Sequence, residues 1–153
     1  MILSGRDIEW YVQQGHLVIA PVTSDQFQQN GIDLILADVD IQIPSDTREA
    51  HPQKWIYKGG FCLGVTQETI ELPCDLMAFV QLRSSWARRG FVIPPTVVDA
   101  GFKGQLTLEI VSYQHQPVPL GERFAHLIFA KMTGPSEPYN GKYQHQHGIT
   151  KAL

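Results

Sequence analysis

The residues best suited to chemistry lie between Arg83 and Glu109, in the run RSSWARRGFVIPPTVVDAGFKGQLTLE. Arg83, Ser84, Ser85 and Arg88 stand together at its start. Guanidinium forks and neighbouring hydroxyl groups are donors that suit phosphate oxygens, so this group could form a seat for a polyanion. From the residues alone, a solvated basic turn explains the group equally well.

Two carboxylates, Asp99 and Glu109, close the same run. Gly101 and Gly104 lie between them and favour a tight hairpin that a ligand can approach closely, so that hairpin amides and carbonyls could read the edge of a base. Thr107, Glu109 and Val111 alternate with Leu106, Leu108 and Ile110, which places Glu109 in mid-strand on one face. A glutamate there could transfer protons, which contributes a factor of about 10²–10⁴ in rate. A pair with an arginine across the sheet is the alternative.

Residues 133–153 are rich in turns and weakly apolar, which predicts either a frayed tail or a lid that orders on a ligand. Tyr139, Lys142 and Gln146 would suit closure over a sugar and phosphates. His145 and His147, with His126 elsewhere, are more typical of polar surface histidines than of metal ligands.

The signature of the zinc-dependent nucleobase deaminases is missing from this sequence. There is no HxE motif, and Pro73–Cys74 is not followed by a second cysteine at the required spacing. If the protein acts on a cytosine amino group, the sequence therefore predicts that it does so without zinc.

Length and composition predict one globular domain over residues 1–153. The net charge of −3 gives no bulk attraction to nucleic acid or anionic membranes, and no apolar run approaches membrane-spanning length. Cys62 and Cys74 have no CxxC spacing, which favours a reduced protein, and the start of the chain has no apolar signal core. These features together predict a cytoplasmic location.

The pattern of elements predicts an all-β sandwich or jelly roll with one short N-terminal helix at residues 4–14, begun by a Ser4–Asp7 capping box. Residues 45–58 are predicted to be a surface loop or an edge excursion. The predicted strands are Leu17–Ala20, Ile32–Leu36, Val39–Ile43, Phe61–Thr66, Thr69–Leu72, Met77–Leu82, Phe91–Ile93, Gln105–Ser112 and Phe124–Met132, with Val97–Asp99 as a further short one.

Three motifs resemble those of the dCTP deaminases, a family of the trimeric dUTPase-like superfamily. They are RSSWAR at 83–88, VDAGFKGQLTLE at 98–109 and PYNGKYQHQ at 138–146, and MILSG at the start and GIDL at 31–34 add to the likeness. The resemblance implies a distorted β jelly roll (a β-clip) assembled as a homotrimer with active sites at subunit interfaces. It implies hydrolytic deamination of dCTP to dUTP, with Mg²⁺ bound through the triphosphate and not by protein ligands.

The resemblance also implies a role for each matching residue. Glu109 corresponds to the catalytic glutamate, and Ser84 and Arg88 hold the water and orient that glutamate. Asp99, a further catalytic candidate, lines the sugar and base. The implied substrate-binding set is Arg83, Ser84, Ser85, Trp86, Ala87, Arg88, Asp99, Thr107, Leu108, Glu109, Tyr139, Lys142 and Gln146.

Two positions depart from the family pattern. Ile35 follows GIDL where the family usually has arginine, and Pro94–Pro95–Thr96 precedes the strand where small or aromatic residues are common. The run DAGFKGQLTLEIV is closer to bifunctional members that cleave the triphosphate as well, giving dUMP and pyrophosphate, with Asp99 as the activating base. Two further interpretations stay open: a plain dUTPase, which lacks the strand glutamate, and a non-catalytic nucleotide-binding module.

Overall fold

The fold is seen in a computed structural model that describes residues 1–41 and 53–153. It is a curled, antiparallel, mostly β structure with one short N-terminal helix, which confirms the predicted fold class. The elements are α1 (Gly5–Gln13), β1 (Val18–Ala20), a 3₁₀ turn (Ser24–Gln26), β2 (Phe27–Gln28), β3 (Gly31–Val39), β4 (Trp55–Ile56), β5 (Phe61–Glu71), β6 (Leu76–Leu82), α2 (Ser84–Ala87), β7 (Phe91–Val92), β8 (Thr96–Val98), β9 (Lys103–Ser112), β10 (Gln116–Pro117) and β11 (Arg123–Lys131).

The predicted N-terminal helix and its capping box are confirmed. The Ser4 hydroxyl accepts from the Asp7 amide at 3.2 Å, and the Asp7 carboxylate accepts from the Ser4 amide at 3.1 Å. Each side chain thus satisfies an amide that the first turn leaves without a helical partner. Gly15, at φ +71°, follows the helix in a left-handed conformation that suits its end.

The larger sheet runs in the order β7-β9-β5-β3-β11-β6-β8, with β1 added to β5 and β2 added to β3. Most predicted strands are present, but 61–66 and 69–72 form one strand, β5, with a bulge between Val65 and Thr69. The separate strand predicted at 39–43 is wrong over its described part, because β3 ends at Val39 and Ile41 lies in no strand. Residues 42 and 43 lie outside the described residues.

Of the two structures predicted for 45–58, a surface loop or an edge excursion, the described part fits the edge excursion. Residues 45–52 lie outside the described residues, but Trp55–Ile56 forms β4 and pairs with β10. A two-residue pairing has almost no hydrophobic pattern, and its partner lies about sixty residues further along the chain, so local sequence carries no signal for it.

The core is formed by the inner faces of the strands and by a cluster of rings. Phe91 and Phe124 meet edge to face with centroids 5.7 Å apart, and Trp86 packs against both. Fully burying one such side chain stabilises the fold by about 1.5–3 kcal/mol. Cys62 and Cys74 are both free thiols. No helix in the described ranges is long and apolar enough to cross a membrane.

Candidate active site

The turn between β8 and β9 positions the first carboxylate. The Phe102 amide donates to the Asp99 carbonyl at 3.1 Å, which closes a four-residue turn. Gly101 stands at φ +79° in this turn, a conformation that residues with a side chain adopt only at a cost. Asp99 is therefore held at an exposed corner next to the start of β9.

The alternation of β9 positions the second carboxylate as the sequence predicts. Leu106, Leu108 and Ile110 are buried in the core, and Thr107 and Glu109 lie on the half-exposed face. The carboxylate of Glu109 makes no hydrogen bond or ion pair to any residue in 1–41 or 53–153, so the cross-sheet arginine pair is not formed with a described residue.

A cavity of about 540 Å³ opens in front of this face of β9, a size typical of small-molecule sites. Both carboxylates reach it, and most of the rest of its wall is apolar. Of the residues predicted to touch substrate, five line the cavity. The full lining is Phe61, Leu63, Val80, Thr96, Val97, Val98, Asp99, Phe102, Leu106, Thr107, Glu109, Tyr139, Tyr143, Gln146, Thr150 and Ala152.

Leu108 and Lys142, also predicted to touch substrate, do not line the cavity. The Leu108 side chain is only 2% exposed and faces the core, so only its backbone is available to a ligand. The Lys142 ammonium group donates to the Leu153 carbonyl and lies 5.3 Å from the centroid of the Tyr143 ring.

The tail packs along the turn and the start of β9. The Tyr139 amide donates to the Ala100 carbonyl at 2.9 Å, and the Gln144 side chain accepts from the Lys103 amide at 2.7 Å and donates to the Gly101 carbonyl at 2.9 Å. The tail thus forms one wall of the cavity through Tyr139, Tyr143, Gln146, Thr150 and Ala152.

The RSSWAR segment lies elsewhere in the chain. Arg83 precedes the single-turn helix α2, and its Nε lies 2.9 Å from Oδ2 of Asp33, a carboxylate with a side chain only 2% exposed. Oδ1 of Asp33 lies 2.9 Å from Nδ1 of His126, and a guanidinium nitrogen of Arg123 lies 3.9 Å from Oδ2. Arg83 therefore neutralises a buried charge, which it must do whether or not it also binds phosphate.

In the rest of the RSSWAR segment, Trp86 is bonded to the fold and the other residues are exposed. The Trp86 indole donates to the Arg123 carbonyl at 2.8 Å, and Arg89 stacks on its ring at 4.8 Å. Ser84, Ser85, Ala87 and Arg88 are exposed. No residue of 83–88 lines the cavity, so the structure does not bring the two predicted halves of the site together within one chain.

A buried polar network links the bulge of β5 to the 3₁₀ turn and to β3. The Glu68 carboxylate is fully buried, accepts from the Ile35 amide at 3.1 Å and accepts from the Gln26 side chain at 2.7 Å. Burial raises the pKa of Glu68, and these hydrogen bonds offset part of the increase. Ile35, the first departure from the family pattern, therefore contributes its backbone to a buried carboxylate.

The second departure, Pro94–Pro95, lies exposed between β7 and β8, and only Thr96 of that group lines the cavity.

Among residues 1–41 and 53–153, no three or more His, Cys, Asp or Glu side chains are arranged to hold a metal ion. His126 is hydrogen-bonded to Asp33.

Sequence reasoning missed Asp33, Glu68 and Gln105. Asp33 offers a signal, since it is a charged residue inside the apolar run IDLIL, where a charge needs a partner. Glu68 and Gln105 offer none, because their partners come from parts of the chain distant in sequence.

Structural comparison shows the same fold in nucleotide enzymes. A 2'-deoxycytidine 5'-triphosphate deaminase from Agrobacterium tumefaciens aligns with 84% of this chain at a TM-score of 0.67 and 21% identity, and this chain spans 47% of that one. The dUTPase of EIAV aligns with 82% of this chain and 98% of its own at a TM-score of 0.57 and 18% identity. The architecture is thus that of the dUTPase-like proteins.

Sequence comparison identifies the family within that architecture. Residues 2–132 match the family model described as dCTP deaminase-like. A dCTP deaminase from Acidianus ambivalens is 44% identical, covering 98% of this chain and 96% of its own. A probable deoxyuridine 5'-triphosphate nucleotidohydrolase from Sulfolobus islandicus rod-shaped virus 1 is 48% identical, covering 99% and 98%. The chain belongs to the dCTP deaminase-like family.

Proposed function

We propose that this enzyme converts dCTP and water to dUTP and ammonia without a zinc ion. The observation that carries the proposal is Glu109, a carboxylate without a partner among the described residues, which faces a nucleotide-sized cavity bordered by the 98–109 hairpin. Family membership supports it, because most of the close curated relatives are named dCTP deaminases.

The chemistry requires a base that becomes an acid. Glu109 takes a proton from water as the oxygen attacks C4 of the cytosine, and it gives that proton to the ring nitrogen N3. It then takes the proton of the hydroxyl group now on C4 and delivers it to the amino group, so that the C4–N bond breaks, ammonia leaves and the C4 carbonyl of uracil forms. Its place on a strand fixes the carboxylate against the ring. The largely apolar wall of the cavity limits competing water around the reacting atoms.

Asp99, Thr107 and Tyr139 are proposed to line the sugar and base, with the Leu108 backbone contributing to base recognition. All three side chains are in the cavity wall, at the turn, the strand and the tail respectively. Gln146 and Lys142 belong to the tail, residues 133–153, which we propose acts as a lid.

The cavity does not provide enough charge to hold a triphosphate. It contains two carboxylates, and none of the described residues that line it is an arginine or a lysine. We propose that a second copy of the chain supplies Ser84, Ser85 and Arg88 with Arg83, in a homotrimer whose sites lie between subunits. These donors are exposed or half-exposed on α2, where a neighbouring copy can reach them. Trp86 holds that helix in place, and Ala87 offers only its backbone and methyl group.

Mg²⁺ fits this site as an ion that enters with the nucleotide. The cavity wall has two carboxylates and neither histidine nor cysteine among its described residues, and Mg²⁺ prefers oxygen ligands, commonly one or two carboxylates together with phosphates and water. Bound through the triphosphate, it would neutralise phosphate charge.

The proposed substrate is a free nucleotide, not nucleic acid, and we place the enzyme in the cytoplasm.

A second activity is favoured by the position of Asp99. It shares the cavity with Glu109 at the turn where a phosphate chain could pass, and the viral relative at 48% identity is named as a probable dUTP nucleotidohydrolase. Asp99 would then activate a second water for attack on phosphorus, and the final products would be dUMP and pyrophosphate.

One product assay separates these activities. The protein is mixed with Mg²⁺ and dCTP, ammonia is measured, and nucleotides are separated by anion exchange. Ammonia with dUTP supports deamination alone, and dUMP without accumulating dUTP supports the combined activity. Cleavage of added dUTP without any attack on dCTP would identify a plain dUTPase. A nucleotide-dependent rise in melting temperature without any product would identify a binding module, and either of these last results contradicts the proposal.

A further inference from the structure

Gln105 lies near the start of β9, two residues before Thr107, and it meets the tail with both its backbone and its side chain. Its amide donates to the Gln146 carbonyl at 3.0 Å, and its carbonyl accepts from the Gln146 side chain at 2.7 Å. Its side-chain oxygen accepts from the Gly148 amide at 2.7 Å. Three of the hydrogen bonds that hold the tail thus converge on one residue.

The other end of the Gln105 side chain is fixed by the bulge of β5. Its Nε2 donates to the Thr66 carbonyl at 3.0 Å. The bulge is itself held by hydrogen bonds, because the Thr66 hydroxyl accepts from the Leu106 amide at 3.0 Å and donates to the Glu68 carbonyl at 3.0 Å. The side-chain amide of Gln105 therefore spans from a rigid strand to the tail with both of its ends engaged.

The backbone around Gln105 is shaped for the same contact. A Cβ on Gly104 would lie 2.7 Å from the Gln146 carbonyl oxygen, and a Cβ on Gly101 would lie 2.6 Å from Cα of Pro138. Such distances are closer than real contacts allow, so only glycine lets the tail lie this close to the strand. The two glycines and Gln105 together form the surface on which residues 138–148 pack.

We infer that Gln105 is a positioning residue, which fixes the tail so that Tyr139 and Gln146 are held at the cavity before a nucleotide arrives. Gln105 does not line the cavity and touches no reacting atom. Its effect on the reaction passes through the tail, and this part of the inference rests on the proposed function. A tail that is held in place binds nucleotide without a further ordering cost.

The test compares wild type with Gln105→Met, which keeps the length but removes the side-chain hydrogen bonds to Thr66 and Gly148 and the longer one, 3.5 Å, to the Gln67 carbonyl. Gln67→Ala is the matched control, since Gln67 is an exposed glutamine of the same bulge with no side-chain hydrogen bond among the described residues. Amide hydrogen exchange over residues 138–150 is measured without nucleotide. We expect exchange there to become roughly three- to tenfold faster in Gln105→Met and unchanged in Gln67→Ala.

Steady-state kinetics of deamination supply a readout that general destabilisation would not give. Because Gln105→Met weakens binding without moving Glu109, KM for dCTP should rise by roughly three- to tenfold with kcat nearly unchanged. If Gln105→Met proves unstable, Gln105→Glu serves instead. It keeps an oxygen for the Gly148 amide but loses the donor to the Thr66 carbonyl, so exchange over residues 138–150 should still be faster than in wild type.

Each outcome decides the inference. Unchanged tail exchange in Gln105→Met overturns it, and so does faster exchange with an unchanged KM. If wild type releases no ammonia from dCTP, the proposed function fails while the exchange data still decide whether Gln105 fixes the tail. Nucleotide affinity from thermal shifts with dUTP then replaces KM.

Discussion

The cavity beside β9 and the RSSWAR segment at α2 differ in what they lack. The cavity has two carboxylates and an apolar wall but no described cation, whereas the exposed serines of α2 and the arginine that follows them do not line that cavity. Either region alone would be a poor nucleotide site. This division agrees with the proposal that another copy of the chain completes the site, with charge on one surface and base recognition on the other.

The cavity side is tested most strongly at Glu109. Glu109→Gln keeps the shape of the side chain but cannot take a proton, so ammonia release from dCTP should fall by about 10²–10⁴ or more. Nucleotide should still raise the melting temperature, because binding groups are intact. If cleavage of dUTP persists in this variant, the two reactions use different groups in one cavity. Near-normal deamination by Glu109→Gln would remove Glu109 from the mechanism.

The α2 side depends on the buried pair of Arg83 and Asp33. Arg83→Ala would leave the Asp33 carboxylate with His126 and the more distant Arg123 as its ionic partners among the described residues, and we expect the free energy of unfolding to fall by about 3 kcal/mol. Urea unfolding measures this. Arg88→Ala is the control, since Arg88 is exposed and has no ion pair with a described residue. An equal free energy of unfolding for the two variants would show that the Arg83–Asp33 pair does not stabilise the fold.

A smaller effect is expected from Glu68, which is buried in the bulge of β5. Burial raises its pKa in the folded protein above the ordinary value of 4.5, so above pH 4.5 the unfolded chain releases its proton first. The folded state then holds more protons than the unfolded state, and stability is lost as pH rises from 4.5 through the raised pKa. Glu68→Gln removes this loss.

Urea unfolding at several pH values tests that sign. The stability of Glu68→Gln relative to wild type should increase across this pH window and become constant above it. Glu137→Gln, in an exposed part of the tail, should run parallel to wild type. A constant difference between Glu68→Gln and wild type at all pH values would contradict the assignment.

The cavity half of the site could be predicted from sequence largely because its signals are local. The alternation around Glu109 and the glycines at 101 and 104 fix a strand face and a turn over a dozen residues, and both are found. Helix α1 is similar, since its capping box spans only Ser4 to Asp7. Local periodicity and turn chemistry are sufficient in such cases.

The other features depend on partners far away in the chain. The single-turn helix α2 is too short for helical periodicity, and it is held by Asp33 and by the carbonyl of Arg123. β5 continues through its bulge, where the sequence predicts two separate strands. The groups that stabilise the bulge, Gln26 and the Ile35 amide, come from other elements, so the local sequence does not reveal them. Long-range contacts of this kind leave no local pattern.

The most direct test of the comparison mixes two inactive variants, Glu109→Gln and Arg88→Ala, refolded together at equal concentration. If each site takes Glu109 from one chain and Arg88 from another, random assortment gives about one quarter of the sites both functional groups, and activity returns to about that fraction of wild type. Each variant refolded alone stays inactive. Absence of any recovery in the mixture, with mixed oligomers verified, would show that one chain supplies the whole site and would contradict the account.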